Sequence, residues 1–381
     1  MTLGEISSMI KRSDPQSNAP VMMLSAGNGF IMQSDKYSRD NAGQSLKKYI
    51  LLKKGELAYN HGASKAKQFG CCYELQEEEA RIPYVYHCFK VCDTEYTPYV
   101  ALELNNPKMD KQLKRLVSSS VRMDGLLNIS YEEYMSVQVY LPAYSEQKRI
   151  ADFIEKLDER IAKQEQLIEA LKKYKRGVVR TLLSPDSCCI EETTWTTAKI
   201  GDLGSFTKGA PLSKADITPD GTPFILYGEL YTTYHEVINS VIRRTKAQPE
   251  KQYYSHVGDV IIPTSGETPE EISTAACVML PDIILAGDLN IFRSSKIDGR
   301  IMSYILNHIV NGQIARIAQG KSVVHIQASE ISKIEISYPD YNTQCKMISV
   351  FETVGARIKS AENELTYLRT MQKALLQQLF I

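Results

Sequence analysis

The sequence lacks most of the features by which membrane, secreted and catalytic proteins are recognised. Its 45 Lys and Arg residues balance 45 Asp and Glu residues, so the net charge of +0 excludes a uniformly basic nucleic-acid wrapper but allows local basic faces. No apolar run approaches the ~18 residues that a membrane helix needs. The N-terminus contains no continuous hydrophobic stretch typical of a signal peptide. Composition therefore predicts a soluble, cytoplasmic protein with no membrane partner.

Cysteine is scarce, with eight residues in 381 and no CxxC spacing, which excludes a disulfide scaffold. His87, Cys88 and Cys92 lie close together in the sequence. A tetrahedral zinc site needs a fourth ligand, and none follows at a readable spacing. We therefore predict free thiols and no bound metal.

Catalytic motifs are also missing. The sequence has no GxxxxGK[ST], no HExxH and no glycine-rich turn after a strand. Pro219-Asp220 and Pro281-Asp282 are not followed by the acid and lysine of a metal-dependent nuclease. Nothing supplies an activated nucleophile with its base. These absences predict a recognition protein, not an enzyme.

What the sequence does contain is an internal repeat. Residues 141–183 and 338–380 align without a gap at an offset of 197, and the same offset aligns Leu3-Gly4-Glu5-Ile6 with Ile200-Gly201-Asp202-Leu203. The segments between these anchors differ in sequence and length. This pattern indicates a fixed frame that carries two different domains. Identical pairs in the longer stretch include Pro142/Pro339, Tyr144/Tyr341, Gln147/Gln344, Glu155/Glu352, Arg160/Arg357, Ile161/Ile358, Glu165/Glu362, Leu171/Leu368 and Leu182/Leu379.

Each copy of the longer stretch predicts one long helix, over residues 144–184 and 341–381, because apolar residues recur at alternating steps of three and four. Such a helix spans ~60 Å. The simplest partner for so long an apolar stripe is the helix of the other copy, in an antiparallel pair. The alternative is that each helix folds back on its own domain. Gln164 and Lys175 are predicted to fix the register. The predicted seam consists of Ile154, Leu157, Ile161, Ile168, Leu171, Val178, Phe351, Val354, Ile358, Leu365, Leu368 and Leu375.

The remaining segments predict two mixed α/β domains, over residues 1–143 and 185–340. In each domain a short strand (Val137–Leu141 and Lys333–Ser337) precedes the long helix. The predicted fold class is therefore α+β, with two mixed α/β domains joined by two long antiparallel coiled-coil helices.

Local charge is uneven. Between residues 35 and 70 cations predominate and are interleaved with Tyr, Asn, Gln and His, a mixture suited to phosphate and base-edge contacts, although such a run is more often a solvated face. The second domain is sparser in cations. The predicted DNA contacts are Lys36, Arg39, Lys47, Lys48, His61, Ser64, Lys65, Lys67 and Arg122, followed by Lys208, Lys214, Arg243, Arg244 and Lys321.

The repeated segment resembles the specificity subunits of Type I restriction–modification systems. In that family a strand leads into Leu-Pro-x-x-x-Glu-Gln-x-x-Ile and a long helix, and the unit occurs twice. The first copy here reads LPAYSEQKRI from Leu141. The second copy departs from the pattern with Tyr338 for Leu and Thr343 for Glu, and the first domain lacks a counterpart of Trp195.

The resemblance implies a non-catalytic subunit whose two target-recognition domains each read one half of a bipartite sequence in double-stranded DNA. Its helices are expected to dock two adenine-methyltransferase subunits, which endonuclease/translocase subunits join. S-adenosylmethionine, ATP and Mg²⁺ would belong to those partners, and this chain would bind no cofactor. Two alternatives remain: the equivalent subunit of a Type IIB-like system, or a two-headed protein-interaction scaffold that does not bind DNA.

Overall fold

The computed structural model describes residues 1–36, 47–65, 67–117, 127–318 and 324–380. The chain divides into two compact units, Met1–Glu165 with Asn363–Ile381, and Gln166–Glu362. Both divisions fall inside long helices, so each unit contains one mixed α/β domain and a part of both helices. No helix in the described ranges is long and apolar enough to cross a membrane.

The first unit is built on a four-stranded antiparallel sheet in the order β1-β8-β5-β6. Its core includes the fully buried side chains of Leu57, Phe89 and Tyr134. Its strands are β1 (Ser7–Met9), β2 (Met22–Ser25), β3 (Gly29–Met32), β4 (Ile50–Lys53), β5 (Leu57–Asn60), β6 (Cys71–Glu74), β7 (Glu79–Ile82) and β8 (His87–Val91). Its helices are α1 (Gln33–Lys36), α2 (Thr97–Glu103), α3 (Pro107–Leu116), α4 (Tyr131–Met135) and the first part of α5 (Tyr144–Leu182).

The second unit contains a five-stranded sheet in the order β10-β18-β14-β16-β12. Its strands are β9 (Trp195–Lys199), β10 (Gly204–Lys208), β11 (Thr222–Leu226), β12 (Val237–Ile238), β13 (Arg244–Thr245), β14 (Asp259–Pro263), β15 (Ser265–Gly266), β16 (Ala276–Val278), β17 (Ile284–Ala286), β18 (Leu289–Ser294), β19 (Val324–His325) and β20 (Glu335–Pro339). Its helices are α6 (Ile200–Leu203), α7 (Glu229–Thr232), α8 (Pro269–Ile272), α9 (Gly299–His308), α10 (Asn311–Ile317), α11 (Ala328–Ile331) and the first part of α12 (Tyr341–Leu379).

The openings of the two domains share a backbone hydrogen bond. The Leu3 amide donates to the Val137 carbonyl at 2.9 Å, and the equivalent Ile200 amide donates to the Ile334 carbonyl, also at 2.9 Å. Glycine follows this residue in both copies, and the same steric reason applies to each. A Cβ on Gly201 would lie 3.0 Å from the Ser332 Cβ, and one on Gly4 would lie 3.3 Å from the carbonyl oxygen of Met135, the repeat equivalent of Ser332. Close packing against the short helix therefore favours glycine in both copies.

The strand before the long helix differs between the copies. In the second unit, β20 pairs with β9 from Glu335 opposite Lys199 to Pro339 opposite Trp195. At the equivalent place in the first unit, the described residues form a single bridge, between Thr2 and Gln138, in the same register. The prediction of a strand over Val137–Leu141 is therefore wrong.

A buried glutamine anchors the start of each long helix. The Gln147 Nε2 donates to the Pro142 carbonyl at 2.8 Å, and its Oε1 accepts from the Tyr96 amide at 2.9 Å. The repeat equivalent Gln344 donates to the Pro339 carbonyl at 2.8 Å and accepts from the Asp298 amide at 2.9 Å. Tyr96 and Asp298 precede α2 and α9, so the same side chain joins the long helix to the helix that follows the sheet in both domains.

In the first unit the two long helices run antiparallel. Ala151 clusters with Phe380, Asp158 accepts a hydrogen bond from Gln372, and Glu165 forms an ion pair with Arg369 at 2.7 Å. As the residue number on α5 increases, the number of the contacting residue on α12 decreases, so the two helices run antiparallel.

The second unit shows the same direction. Lys172 forms an ion pair with Glu362 at 3.1 Å, and Val179 lies in the same core cluster as Phe351. Glu362 and Glu165 are the same position of the repeat, and so are Lys172 and Arg369. Each unit therefore contains the same interhelical ion pair once. The predicted fold class of two mixed domains joined by long antiparallel helices is confirmed.

The predicted seam residues are buried or half-buried along both helices. Ile154, Leu157, Ile168, Phe351, Val354, Ile358 and Leu368 are buried, and Ile161, Leu171, Val178, Leu365 and Leu375 are half-buried. The pattern alone did not reveal that Val179, Leu182 and Leu183 join the core of the second domain. Lys175 also leaves the seam, because its ammonium contacts Glu236 of that domain at 2.6 Å. The prediction that Lys175 fixes the helix register is therefore wrong.

Candidate nucleic-acid interface

In the first domain the segment after β5 forms a tight turn that presents cations. The Ser64 amide donates to the Lys67 carbonyl, and the Lys67 amide donates to the Ser64 hydroxyl, each at 3.0 Å. Lys65 lies at the exposed part of this turn and forms no ion pair within the described residues. Lys67 is different, because its half-buried ammonium donates to the Asn105 carbonyl at 2.9 Å. Lys65 is thus free to meet a phosphate, whereas Lys67 supports the turn.

A second group of exposed side chains lies just before β4 and just after β7. Lys47 and Lys48 are exposed, and the Lys48 ammonium lies 5.9 Å from the centre of the Tyr84 ring. Tyr84 itself is 52% exposed. A cation beside an exposed aromatic ring is suited to phosphate and base contacts. The sequence analysis missed Tyr84 because it lies outside the basic stretch of residues 35–70.

His61 connects these two groups from inside the domain. Its Nδ1 lies 2.8 Å from the Leu127 carbonyl, and its Nε2 lies 3.0 Å from the carbonyl of Val85, the neighbour of Tyr84. The side chain is 6% exposed. His61 therefore cannot contact DNA directly as predicted, since both ring nitrogens face backbone inside the protein.

Other cations of the basic stretch are paired with acids. Lys53 lies 3.7 Å from Glu79, and Lys54 lies 2.9 Å from Glu78. Lys36 is exposed at the end of α1. The predicted contacts Arg39 and Arg122 lie outside the described residues.

In the second domain, Lys208 lies beside a buried polar cluster. Its ammonium donates to Asn290 Oδ1 at 2.8 Å, and Asn290 is fully buried. Nearby on the chain, the Ser265 hydroxyl donates to Asp288 at 2.9 Å, and the Tyr231 hydroxyl donates to the Ser265 carbonyl at 2.6 Å. Burial raises the pKa of Tyr231 well above its ordinary value, so this hydroxyl stays protonated and acts as a donor.

The remaining cations of the second domain are mostly engaged. Arg243 pairs with Glu229 at 2.9 Å, and Arg244 donates to the Gly221 carbonyl at 2.9 Å. Lys214 is exposed and forms no ion pair within the part of the chain that the structure describes. Lys321 lies outside the described residues.

The segment after the central strand carries opposite charge in the two domains. After β5 it presents Lys65, whereas after β14 it presents Glu267 and Glu271, with the Glu267 amide donating to the Glu271 carboxylate at 2.9 Å. A shared frame therefore displays chemically different surfaces. Among the described residues no group of three metal-ligating side chains comes together.

Residues 192–369 match the family model described as the Type I restriction modification DNA specificity domain. A chain of a type I R-M system, solved in work on its complex assembly and conformational transition, has 14% identity and a TM-score of 0.60, with 100% of this chain and 96% of that chain covered. The S subunit of a Type-I restriction-modification system from M. genitalium has 14% identity and a TM-score of 0.61, with 100% and 95% covered. No curated protein matches the chain by sequence.

The duplicated frame and its two unlike surfaces define a protein of two mixed α/β domains joined by long antiparallel helices. The family model then supplies the affiliation of the second copy: residues 192–369 match the Type I restriction modification DNA specificity domain. At 14% identity the two solved structures show that the whole chain shares their fold. The family resemblance found in the sequence is confirmed.

Proposed function

We propose that the chain reads a bipartite target in double-stranded DNA, with each mixed α/β domain recognising one half-site. The observation that carries this proposal is the contrast between frame and surface. The backbone contacts of Leu3 and Ile200 and the side-chain contacts of Gln147 and Gln344 are the same in both copies. The segments after the central strands are basic in one copy and acidic in the other.

Two linked readers gain specificity together, because each mismatched base pair costs ~1–3 kcal/mol and the costs of separate half-sites add. The base pairs between the half-sites would not be read. The length of the long helices would then determine how many base pairs are skipped.

The proposal includes docking of two adenine-methyltransferase subunits on the long helices. Phe153 is 50% exposed on α5, and the residue at the same repeat position on α12, Val350, is 40% exposed. Tyr144 and Tyr341 form a second such pair, with 47% and 70% exposure. Exposed apolar side chains that recur at equivalent positions are suited to two copies of one partner. Methyl transfer with S-adenosylmethionine, and cleavage with ATP and Mg²⁺, would then belong to partner subunits.

Fluorescence anisotropy with a random duplex at low salt, with and without the methyltransferase subunit, tests DNA binding. We expect binding that weakens as salt rises, because phosphate contacts release counterions. No binding at any salt concentration in either mixture would contradict the proposal and favour the protein scaffold.

Capture of the methyltransferase by the chain tests the docking surface. Phe153→Asp and Val350→Asp should each reduce the captured amount by about half, and the double variant should abolish capture. The matched control is Glu169→Gln, a change at an exposed position of α5. Full capture by the double variant would place the docking surface elsewhere.

A further inference from the structure

The turn between β7 and β8 exposes two apolar side chains. Residues 83–86 read Pro-Tyr-Val-Tyr, and the Tyr86 amide donates to the Pro83 carbonyl at 3.1 Å, so Tyr84 and Val85 occupy the two central positions of a tight turn. Their exposed fractions are 52% and 36%. Gly, Asn, Asp and Ser usually fill such positions, and a tyrosine beside a β-branched valine departs from that preference. Departures of this kind are expected where a surface has a function.

The turn is held firmly at its base. Ile82 and Tyr86, on either side of it, are buried in the core of this part of the domain, with 0% and 7% exposure. The His61 Nε2 lies 3.0 Å from the Val85 carbonyl. The ring of Pro83 fixes the φ angle of that residue. The apolar tip is therefore preorganised, and little conformational freedom would be lost when it meets a partner.

Two lysines lie beside this tip because of the strand register. β4 and β7 are antiparallel, with Ile50 opposite Ile82. The residues before Ile50 therefore run alongside those after Ile82, which places the Lys48 ammonium 5.9 Å from the centre of the Tyr84 ring. Lys47 and Lys48 are both exposed and form no ion pair within the described residues. An apolar tip edged by ammonium groups suits a partner with flat apolar surfaces between anions, which describes base pairs between phosphates.

We propose that Tyr84 and Val85 form a wedge that enters a base-pair step of the bound duplex, with the Tyr84 ring stacked on a base and Lys47 and Lys48 on the flanking phosphates. The proposal rests on the proposed function and names the contact that the first domain makes inside the base stack. Such wedges partly unstack the step that they enter, and stacking on an aromatic ring offsets part of that cost. Pyrimidine–purine steps unstack most easily, so the first half-site should favour one at this place.

Fluorescence anisotropy of the full chain with a random duplex separates stacking from charge. Tyr84→Ala should weaken binding about tenfold and leave the slope of log affinity against log salt unchanged, because the ring releases no counterion, whereas Tyr84→Phe should bind like wild type. Lys48→Ala should reduce that slope by about one. Tyr140→Ala, at a 64% exposed tyrosine of the same unit, is the control and should bind like wild type. Equal affinities for Tyr84→Ala and wild type would overturn the proposal.

A tryptophan reporter at the tip detects stacking directly. Trp195 is the single tryptophan of the chain, so Tyr84→Trp combined with Trp195→Phe places one reporter in the wedge, and Tyr140→Trp combined with Trp195→Phe is the matched control. Base stacking quenches tryptophan fluorescence. A saturating amount of random duplex should therefore quench most of the emission of the Tyr84→Trp reporter and leave that of the Tyr140→Trp reporter unchanged.

Two other outcomes separate failure of the wedge from failure of the proposed function. Unchanged emission of the Tyr84→Trp reporter, under conditions in which anisotropy shows the complex, would overturn the wedge and leave DNA binding standing. Absence of a complex at every salt concentration would contradict the proposed function, and the wedge with it.

Discussion

One buried ionic cluster contributes to the attachment of α5 to the second domain, and replacing Lys175 by Met tests its strength. The Lys175 ammonium lies 2.6 Å from Glu236 and 5.5 Å from the centre of the Tyr304 ring. The other carboxylate oxygen of Glu236 lies 2.8 Å from His308 Nε2. The Lys175 and Glu236 side chains are only 16% and 13% exposed, so solvent screens this pair far less than a surface pair. Met keeps the length of the side chain and removes only the charge and the donor.

The pKa of Glu236 indicates the size of the effect. Burial alone would raise this pKa, but the hydrogen bond from His308 and the charge of Lys175 outweigh burial and lower it from 4.5 to about 2. At ~1.4 kcal/mol per pKa unit, this net lowering of the pKa corresponds to about 3 kcal/mol in favour of ionised Glu236 in the folded chain, after the opposing effect of burial and shared between His308 and Lys175. Breaking a buried pair also leaves an uncompensated charge. We expect Lys175→Met to destabilise the second unit by about 2–3 kcal/mol, which lowers its Tm by about 5–10 °C.

Thermal unfolding at pH 7 measures this loss, with Lys172→Met as the control on the same helix. Lys172 pairs with Glu362 at 3.1 Å, but these side chains are 39% and 41% exposed, so its loss should cost well under ~1 kcal/mol. Because the Glu236 pKa is lowered on folding, the stabilisation is complete above pH 4.5 and disappears as the pH falls toward 2. Equal Tm values for Lys175→Met and wild type at pH 7 would refute the reasoning.

Three further predictions concern the frame and the surfaces. Gln147→Ala and Gln344→Ala should each destabilise the chain by about 1–3 kcal/mol in urea unfolding, since each removes a buried glutamine and leaves a half-buried backbone amide without its acceptor. Exposed Gln166→Ala should have almost no effect, and equal unfolding midpoints for all three variants would contradict this prediction. Lys65→Ala should reduce the slope of log affinity against log salt by about one, whereas Lys54→Ala, which removes a cation already paired with Glu78, should leave it unchanged. Deleting four residues from both long helices in register should shorten the unread spacer in the methylated sequence, and methylome sequencing that returns the original spacer would refute a spacing role for the helices.

The repeat made the frame predictable from sequence. Several positions that remain identical between the copies make the same contact in both, such as Gln147 and Gln344 at the helix starts and Glu165 and Glu362 in the interhelical ion pairs. A side chain that makes the same contact in both copies is constrained in both. The pairing of the two long helices was predictable from the length of the apolar stripe.

The candidate surface was less predictable, because a charged residue in the sequence does not reveal which group its side chain contacts in the fold. Lys175 interrupts the apolar pattern of α5, but its partner Glu236 is 61 residues away on a different element. Lys67 follows Lys65 closely and yet contacts the Asn105 carbonyl. His61 is a polar residue within a basic stretch, which predicted a surface contact, but its side chain lies inside the domain. Each of these outcomes depends on tertiary packing that local patterns do not encode.

Co-expression with the neighbouring methyltransferase subunit, followed by single-molecule detection of methyladenine, tests the central claim most directly. We predict methylation within two short half-sites separated by a spacer of fixed length and no defined sequence. Exchanging residues 185–340 for the corresponding domain of another specificity subunit should change one half-site and leave the other intact. A single contiguous target, or a change in both half-sites after the exchange, would contradict recognition by two independent domains.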